Sequence, residues 1–240
     1  MNASVMYSRQ TDSLWIHFTG DAITRPFAGI RLELVPALQA AWGRSKELRP
    51  DTLLLNQTGK SLFGGFDAYE PYYSSGSAGV LRETRSGDRF YKKGFVVGLL
   101  IDGQTKAYAF GDLNEQPVIK DLFAGQDLVV TFAAESATGG TFGRTVAGHT
   151  LTFQTIGTPD SGTSRMVNNE TGSRWLLLTG VATDGEPTDK RLEQIPSSYS
   201  FWFSWKGWHP SPRKLYLRDA GTSKPRPKLL LTSLSTTPQV

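Results

Sequence analysis

Arg31 and Glu33 stand two residues apart, and 160 positions later Arg191 and Glu193 repeat the same Arg-Leu-Glu order. On a strand such a pair points to one face. There an arginine can grip a carboxylate and a glutamate can act as a base. The same spacing also makes an ion pair on a solvated face, and that is the stronger reading. The histidines are His17, His149 and His209. Zinc needs three or four ligands, and no pair of these has the spacing of a helical or CxxC-like site, so no metal is expected. His209 lies in Gly-Trp-His-Pro beside Phe201, Trp202, Phe203, Trp205 and Trp208, where it is expected to cap or pack. Ser, His and Asp all occur, but no G-x-S-x-G elbow does, so no catalytic residue is assigned. GSAG (76–79) and SATGG (136–140) lack the Gly-Lys-Ser/Thr ending of a phosphate loop, and no cofactor is implied.

Rings supply the other candidates. DAYEPYYSSGSAG (67–79) sets Tyr69, Tyr72 and Tyr73 on a Gly/Ser-rich stretch, the mixture of rings and hydroxyls found on adaptable binding surfaces. The rival reading, which is favoured, is a connecting segment that lies across a groove and packs. Trp15 and Trp175 offer a stacking face for a sugar or base. Apolar neighbours favour a core role for both. Thr11, Ser13, Thr171 and Ser173 are expected to close turns by bonding nearby backbone. The ligand-contact candidates are therefore Tyr69, Tyr72, Tyr73, Trp175, Arg191, Glu193 and His209, for a small molecule or a carbohydrate.

The elements that must position these residues are written twice. QTDSLWIHFTG (10–20) returns as ETGSRWLLLTG (170–180). At the same offset Pro36 meets Pro196, Trp42 meets Trp202 and Pro50 meets Pro210, with no gap from Ser8 to Asn56. Such a register, rare Trp and Pro included, reads as a duplication. The expected architecture is mainly β, from internally duplicated β-sheet or barrel-like units, each with a short Trp-bearing helix. The expected organisation is a partial first unit (1–56), a Gly/Tyr-rich connecting segment (57–94), a complete second unit (95–217) and a flexible tail (218–240). Residues 95–160 have no partner in the first copy, so the first unit begins in mid-unit and the chain reads as N-terminally truncated. The first unit should then lean on the second, pair between chains through its open strand edge as a homo-oligomer, or lack full order.

Locally, FVVGLLIDGQTKAYAF (95–110) predicts a hairpin turning at Asp102-Gly103. QDLVVTFAA (126–134) predicts a strand, and GRTVAGHTLTFQTI (143–156) a hairpin at Ala147-Gly148. SLWIHF, SRWLLL, IRLELV, KRLEQI, Leu53–Leu55 and Lys214–Leu217 also read as strands. ALQAAWGRSKEL reads as a helix with Leu38, Ala41, Trp42 and Leu48 on one apolar face. The stretch 57–94 reads mostly as loop.

Composition narrows the classes. In 240 residues 38% are hydrophobic and 11% aromatic, with six Trp, so much of the burial must come from rings. The net charge is +4, of which Lys224, Arg226 and Lys228 against Asp219 give +2 in the last 22 residues. Little basicity is left for nucleic acid, and none is expected as a partner. With no Cys, a disulfide framework and a thiol nucleophile are excluded. No apolar run reaches the roughly 20 residues of a membrane-spanning helix, and the first ten residues carry no signal pattern.

YSRQTDSLWIHFTGDAI, DAYEPYYSSGS, FVVGLLIDGQTKAYAF, and ETGSRWLLLTG followed by SFWFSWKGWHP together resemble the bacterial and archaeal family called domain of unknown function 3179. The resemblance runs from Asn2 to about Tyr216. It implies a longer, duplicated protein, often exported or lipid-anchored, with a Cys-Pro-x-Cys segment in its front half. The matching stretch here, VVTFAAESATGG (129–140), has no Cys. The family brings no activity with it. Three functions are therefore weighed in order: a non-catalytic binding or structural module of extracytoplasmic type; a fragment of a redox or metal-handling protein whose Cys-bearing part is missing; and a carbohydrate-active hydrolase using Glu193 or Glu33.

Overall fold

The computed structural model describes residues 4–54, 70–79, 90–157, 164–185 and 190–209. In chain order the elements begin with β1 (Val5–Ser8), β2 (Ser13–Ile16), α1 (Trp42–Leu48) and α2 (Glu70–Ser74). A hairpin of β3 (Phe95–Ile101) and β4 (Gln104–Ala109) follows, then α3 (Phe110–Glu115), β5 (Val118–Phe123), β6 (Gln126–Ala133) and β7 (Thr138–Gly143). Next come β8 (Thr145–Val146), β9 (His149–Thr150), β10 (Phe153–Thr155), β11 (Arg165–Asn168) and β12 (Arg174–Leu176). The last are β13 (Ser198–Phe201) and α4 (Trp202–Trp208). The chain is mainly β, in several small antiparallel sheets: β1-β2, β10-β11-β12, β13-β3-β4, β5-β6-β7 and β8-β9.

Two-residue turns set the hairpins. Asp102 and Gly103 (φ 48° and 71°) join β3 to β4, and Ala147 and Gly148 (51° and 82°) join β8 to β9, both where the sequence pattern puts them. Two successive positive φ values match the right-handed twist of the flanking strands. The third such turn, Ala124-Gly125, joins β5 to β6 and lies outside the sequence patterns recognised above.

The two stretches 160 residues apart make the same backbone bonds. Gly20 N–H donates to Ile16 O (2.8 Å) and Gly180 N–H to Leu176 O (2.9 Å). Leu32 N–H donates to Gly20 O (2.9 Å) and Leu192 N–H to Gly180 O (2.8 Å). Both glycines have positive φ, 72° and 62°, which L side chains rarely adopt. A hydroxyl pair recurs beside each of these stretches, Thr11–Ser13 at 2.6 Å and Thr171–Ser173 at 2.7 Å; these hydroxyls bond other side chains, where bonds to nearby backbone were expected.

Several local expectations are corrected. IRLELV and KRLEQI are not strands. Only isolated bridges form, Asp21 with Arg31, Val181 with Arg191 and Phe142 with Gln194, because the neighbouring amides and carbonyls bond to turns and to β7, as in Gly143 N–H to Glu193 O (2.8 Å). Leu53 and Leu54 form no strand and are exposed. The helix expected from Ala37 starts only at Trp42, since Ala41 is extended (φ −61°, ψ 148°). Trp42 faces solvent while Leu38 and Leu48 pack on the core, so the single apolar face is broken. The loop 57–94 contains the five-residue helix α2. Lys214–Leu217 and the tail lie outside the described residues.

Among the described residues, three core clusters hold the sheets together. One gathers Phe142, Phe153, Met166, Trp175, Leu177 and Leu192, and a second Val97, Leu99, Tyr108, Leu113 and Leu128. The third joins Ile16 and Phe18 of the front segment to Trp202 and Trp205 of α4, with Phe18 edge-on to Trp205 at 5.6 Å. The front segment therefore leans on the rest of the chain. Gly98 makes this possible, because a Cβ there would lie 2.4 Å from the Trp205 ring.

Candidate functional site

The best-built polar feature near the candidate tyrosines is Lys93. Its stem and amine are buried, and Nζ lies 3.9 Å from the centre of the Tyr72 ring. The amine donates to the carbonyl of Tyr72, to Ser75 O (2.7 Å) and to Ser75 Oγ (3.1 Å). All three of its protons are thus engaged. Tyr72 Oη in turn accepts from Gly79 N–H at 3.0 Å. The short helix is wrapped around an ammonium, which fits the packing reading of this stretch. Tyr73 stays exposed, with its ring 6.2 Å from that of Tyr72. Tyr69 lies outside the described residues.

Among the remaining candidates, Trp175 and His209 are packed and Arg191 and Glu193 face solvent. Trp175 is fully buried, edge-on to Phe153 at 5.8 Å, so it is core and not a stacking face. Arg191 and Glu193 are exposed, and no ion pair joins them among the described residues. Arg31, the earlier counterpart, bonds Asp21 through Nε at 2.6 Å and holds that carboxyl below its usual range. His209 ends α4, its N–H donating to Trp205 O (2.8 Å) and its ring packed on Trp205 (4.3 Å) and Phe18 (6.0 Å). Burial pushes its imidazole down to about 4. It caps and packs, as its position in the aromatic cluster suggests.

One cluster escaped the sequence reading. Lys106 and Tyr108, on the same face of β4, both donate to Asp121 Oδ2 on β5, while Asp121 Oδ1 accepts from Leu122 N–H at 2.9 Å. All three side chains are largely or fully withdrawn from water. Burial first, then the carboxylate, drives the Tyr108 phenol far above its ordinary value, so it stays protonated as a donor. A buried lysine paired to a carboxylate ties two sheets. The signal was a lone Lys in a strand of small and apolar residues, TKAYA, though its partner lies 15 residues on.

A cleft of about 180 Å³ opens between His17, Phe18 and Val35 on one side and Gly98, Leu100 and Pro196–Ser198 on the other. It is smaller than the roughly 300 Å³ at which ligand pockets usually begin. Among the described residues no group of three or more His, Cys, Asp or Glu is placed to hold a metal ion, and no helix is long and apolar enough to cross a membrane.

Residues 1–212 match the model of a family described as protein of unknown function (DUF3179). No curated protein and no solved structure matches the chain.

Proposed function

The chain belongs to that family, and from this premise we propose that it works as a non-catalytic binding or structural module of extracytoplasmic type, built from two copies of one unit. The observation that carries the reading is what the withdrawn polar groups do. Lys93, Lys106, Tyr108 and Asp121 bind one another or nearby backbone, in contacts that stiffen the frame. The units are residues 1–56 and 95–217, supported by matched bonds at the 160-residue offset. The ligand is a small molecule or carbohydrate met at the surface. Tyr73 is the best contact, being the one predicted tyrosine with a described, exposed ring. Self-association belongs to the open strand edge of the first unit.

A binding screen with mono- and oligosaccharides, followed by titration of the best hit, tests the reading. Saturable binding that weakens at least tenfold in Tyr73→Ala, with the ligand recovered unchanged, is the expected result. Time-dependent conversion of the ligand by the purified chain ends it.

A further inference from the structure

The edge of β1 is a strand site whose occupant can be read from the other end of the molecule. In the sheet β10-β11-β12, Asn169 N–H donates to Thr152 O (2.9 Å) and Ile156 N–H to Arg165 O (3.2 Å). Bonded pairs in an antiparallel ladder fall on every second residue. The backbone groups of 165, 167 and 169 therefore face β10. On the opposite side, Leu177 N–H donates to Ser164 O (2.8 Å), just as His17 N–H donates to Ser4 O (3.4 Å) beside β1. The ladders share one phase, with Met6 opposite Trp15 and Met166 opposite Trp175. Val5 and Tyr7 thus turn their N–H and C=O groups to the free edge, and no described strand pairs there. Val5, Met6 and Tyr7 are all exposed.

We propose that a second copy of this chain fills that edge, its β1 pairing antiparallel with β1 about a two-fold axis through Tyr7. The inference rests on the reading of the chain as two copies of one unit. What selects a second copy is the side-chain pattern. β10 sets Phe153 opposite Asn168, Gln154 opposite Val167 and Thr155 opposite Met166. Shifted by 160, the places to fill lie opposite Ser8, Tyr7 and Met6. A second β1 in the same direction sets its Met6, Tyr7 and Ser8 there, in the order large apolar, polar-tipped, small hydroxyl, which is the order of Phe153, Gln154 and Thr155. The partner's Met6 then takes the place that Phe153 holds over Trp175 at 5.8 Å, above Trp15. The contact is isologous and closes on itself, leaving β1 paired on both sides.

The chain has no Cys, so single cysteines report the register cleanly. Tyr7 and its copy form a bonded pair with Cα atoms about 5.5 Å apart, within the roughly 4.4–6.8 Å that a disulfide spans. Val5 pairs with Arg9 of the copy, so the two Val5 residues lie four positions apart, about 13 Å. With oxidised glutathione accepting the two electrons, Tyr7→Cys should cross-link most of the protein into a dimer and Val5→Cys less than a tenth. Sedimentation of the unmodified chain should show a concentration-dependent species of twice 26.4 kDa. Tyr7→Pro removes an outward N–H and should weaken the dimer at least tenfold; if that variant misfolds, the cysteine pair decides alone. A monomer at every concentration overturns the proposal, as does a dimer that fails to link at position 7. A monomer whose Val5 and Tyr7 amides resist hydrogen exchange overturns it too, by showing another segment on the edge. Turnover of a ligand by a chain that still links at position 7 would refute the module reading and leave the pairing standing.

Discussion

Met166 and Met6 occupy the same place in two ladders 160 residues apart, yet the first is 0% exposed and the second 43%. Trp202 and Trp42 each open a seven-residue helix, at 2% and 44% exposure. The backbone bonds made by Gly20 and Gly180 agree to about 0.1 Å. The same pattern of local bonds therefore coexists with opposite burial. Turn geometry follows from residues within about twenty positions of each other, such as the Gly-bearing turns and the Thr–Ser hydroxyl pairs. Burial follows from what arrives from elsewhere: β10 over Trp175, and β3 and β4 beneath α4. The tryptophans themselves record the difference. Trp15 finds its neighbours locally, with Nε1 donating to Ser13 Oγ at 2.9 Å and Phe27 at 5.9 Å. Trp175 is enclosed by a distant strand.

The largest test of this contrast is truncation of the two rings. Trp175→Ala should cost about 3–5 kcal/mol of stability, as large aromatic deletions in cores do, and Trp15→Ala less than half as much. Equal losses in denaturant unfolding would mean that the two surroundings are energetically the same.

Ion pairs offer the same comparison. Asp121→Ala strands Lys106 and removes the acceptor of Tyr108, and breaking a buried pair costs about 3 kcal/mol or more. Asp21→Ala breaks an exposed pair with Arg31 and should cost less than about 1 kcal/mol. Melting curves of the two variants side by side decide it, and a loss at Asp21 matching that at Asp121 would contradict the burial argument.

Gly98→Ala probes the joint between front and back. A methyl 2.4 Å from the Trp205 ring forces the helix or the strand to move, with a cost of about 1–3 kcal/mol. Its effect should reach the front segment, seen as faster hydrogen exchange at Ile16 and Phe18. Unchanged exchange there would mean that the front segment does not depend on α4.

The last effect is a pH dependence. His209 stays neutral in the native state down to about 4, while the unfolded chain takes up a proton near 6.5. Its contribution is therefore complete above 6.5 and is lost as pH falls toward about 4. The loss is on the order of 2 kcal/mol once partial hydration of the ring is allowed for. His209→Gln should flatten stability between those pH values. A variant with an unchanged slope would assign the dependence to other groups.

Much of the fold was legible, because its signals are local. Asp102-Gly103 and Ala147-Gly148 mark their hairpins, since few residue pairs accept two positive φ values in a row. The strand expected at IRLELV failed for the opposite reason: β-branched and apolar residues make a strand only where a partner edge is offered. The site was far less legible. Tyr72, Trp175, Arg191, Glu193 and His209 are linked by composition alone, and Trp175 and His209 are taken up by packing. Lys106, Tyr108 and Asp121 meet because β4 and β5, on either side of α3, bring them together.

By itself the sequence determined the turns, the hairpin registers and the 160-residue correspondence, which depend on backbone freedom and hydrogen bonding between near neighbours. Only the tertiary structure decided which Trp is core and which is surface, and which Lys is engaged. Those outcomes depend on water being excluded by segments far away in the chain, and no local residue pattern encodes who those neighbours will be.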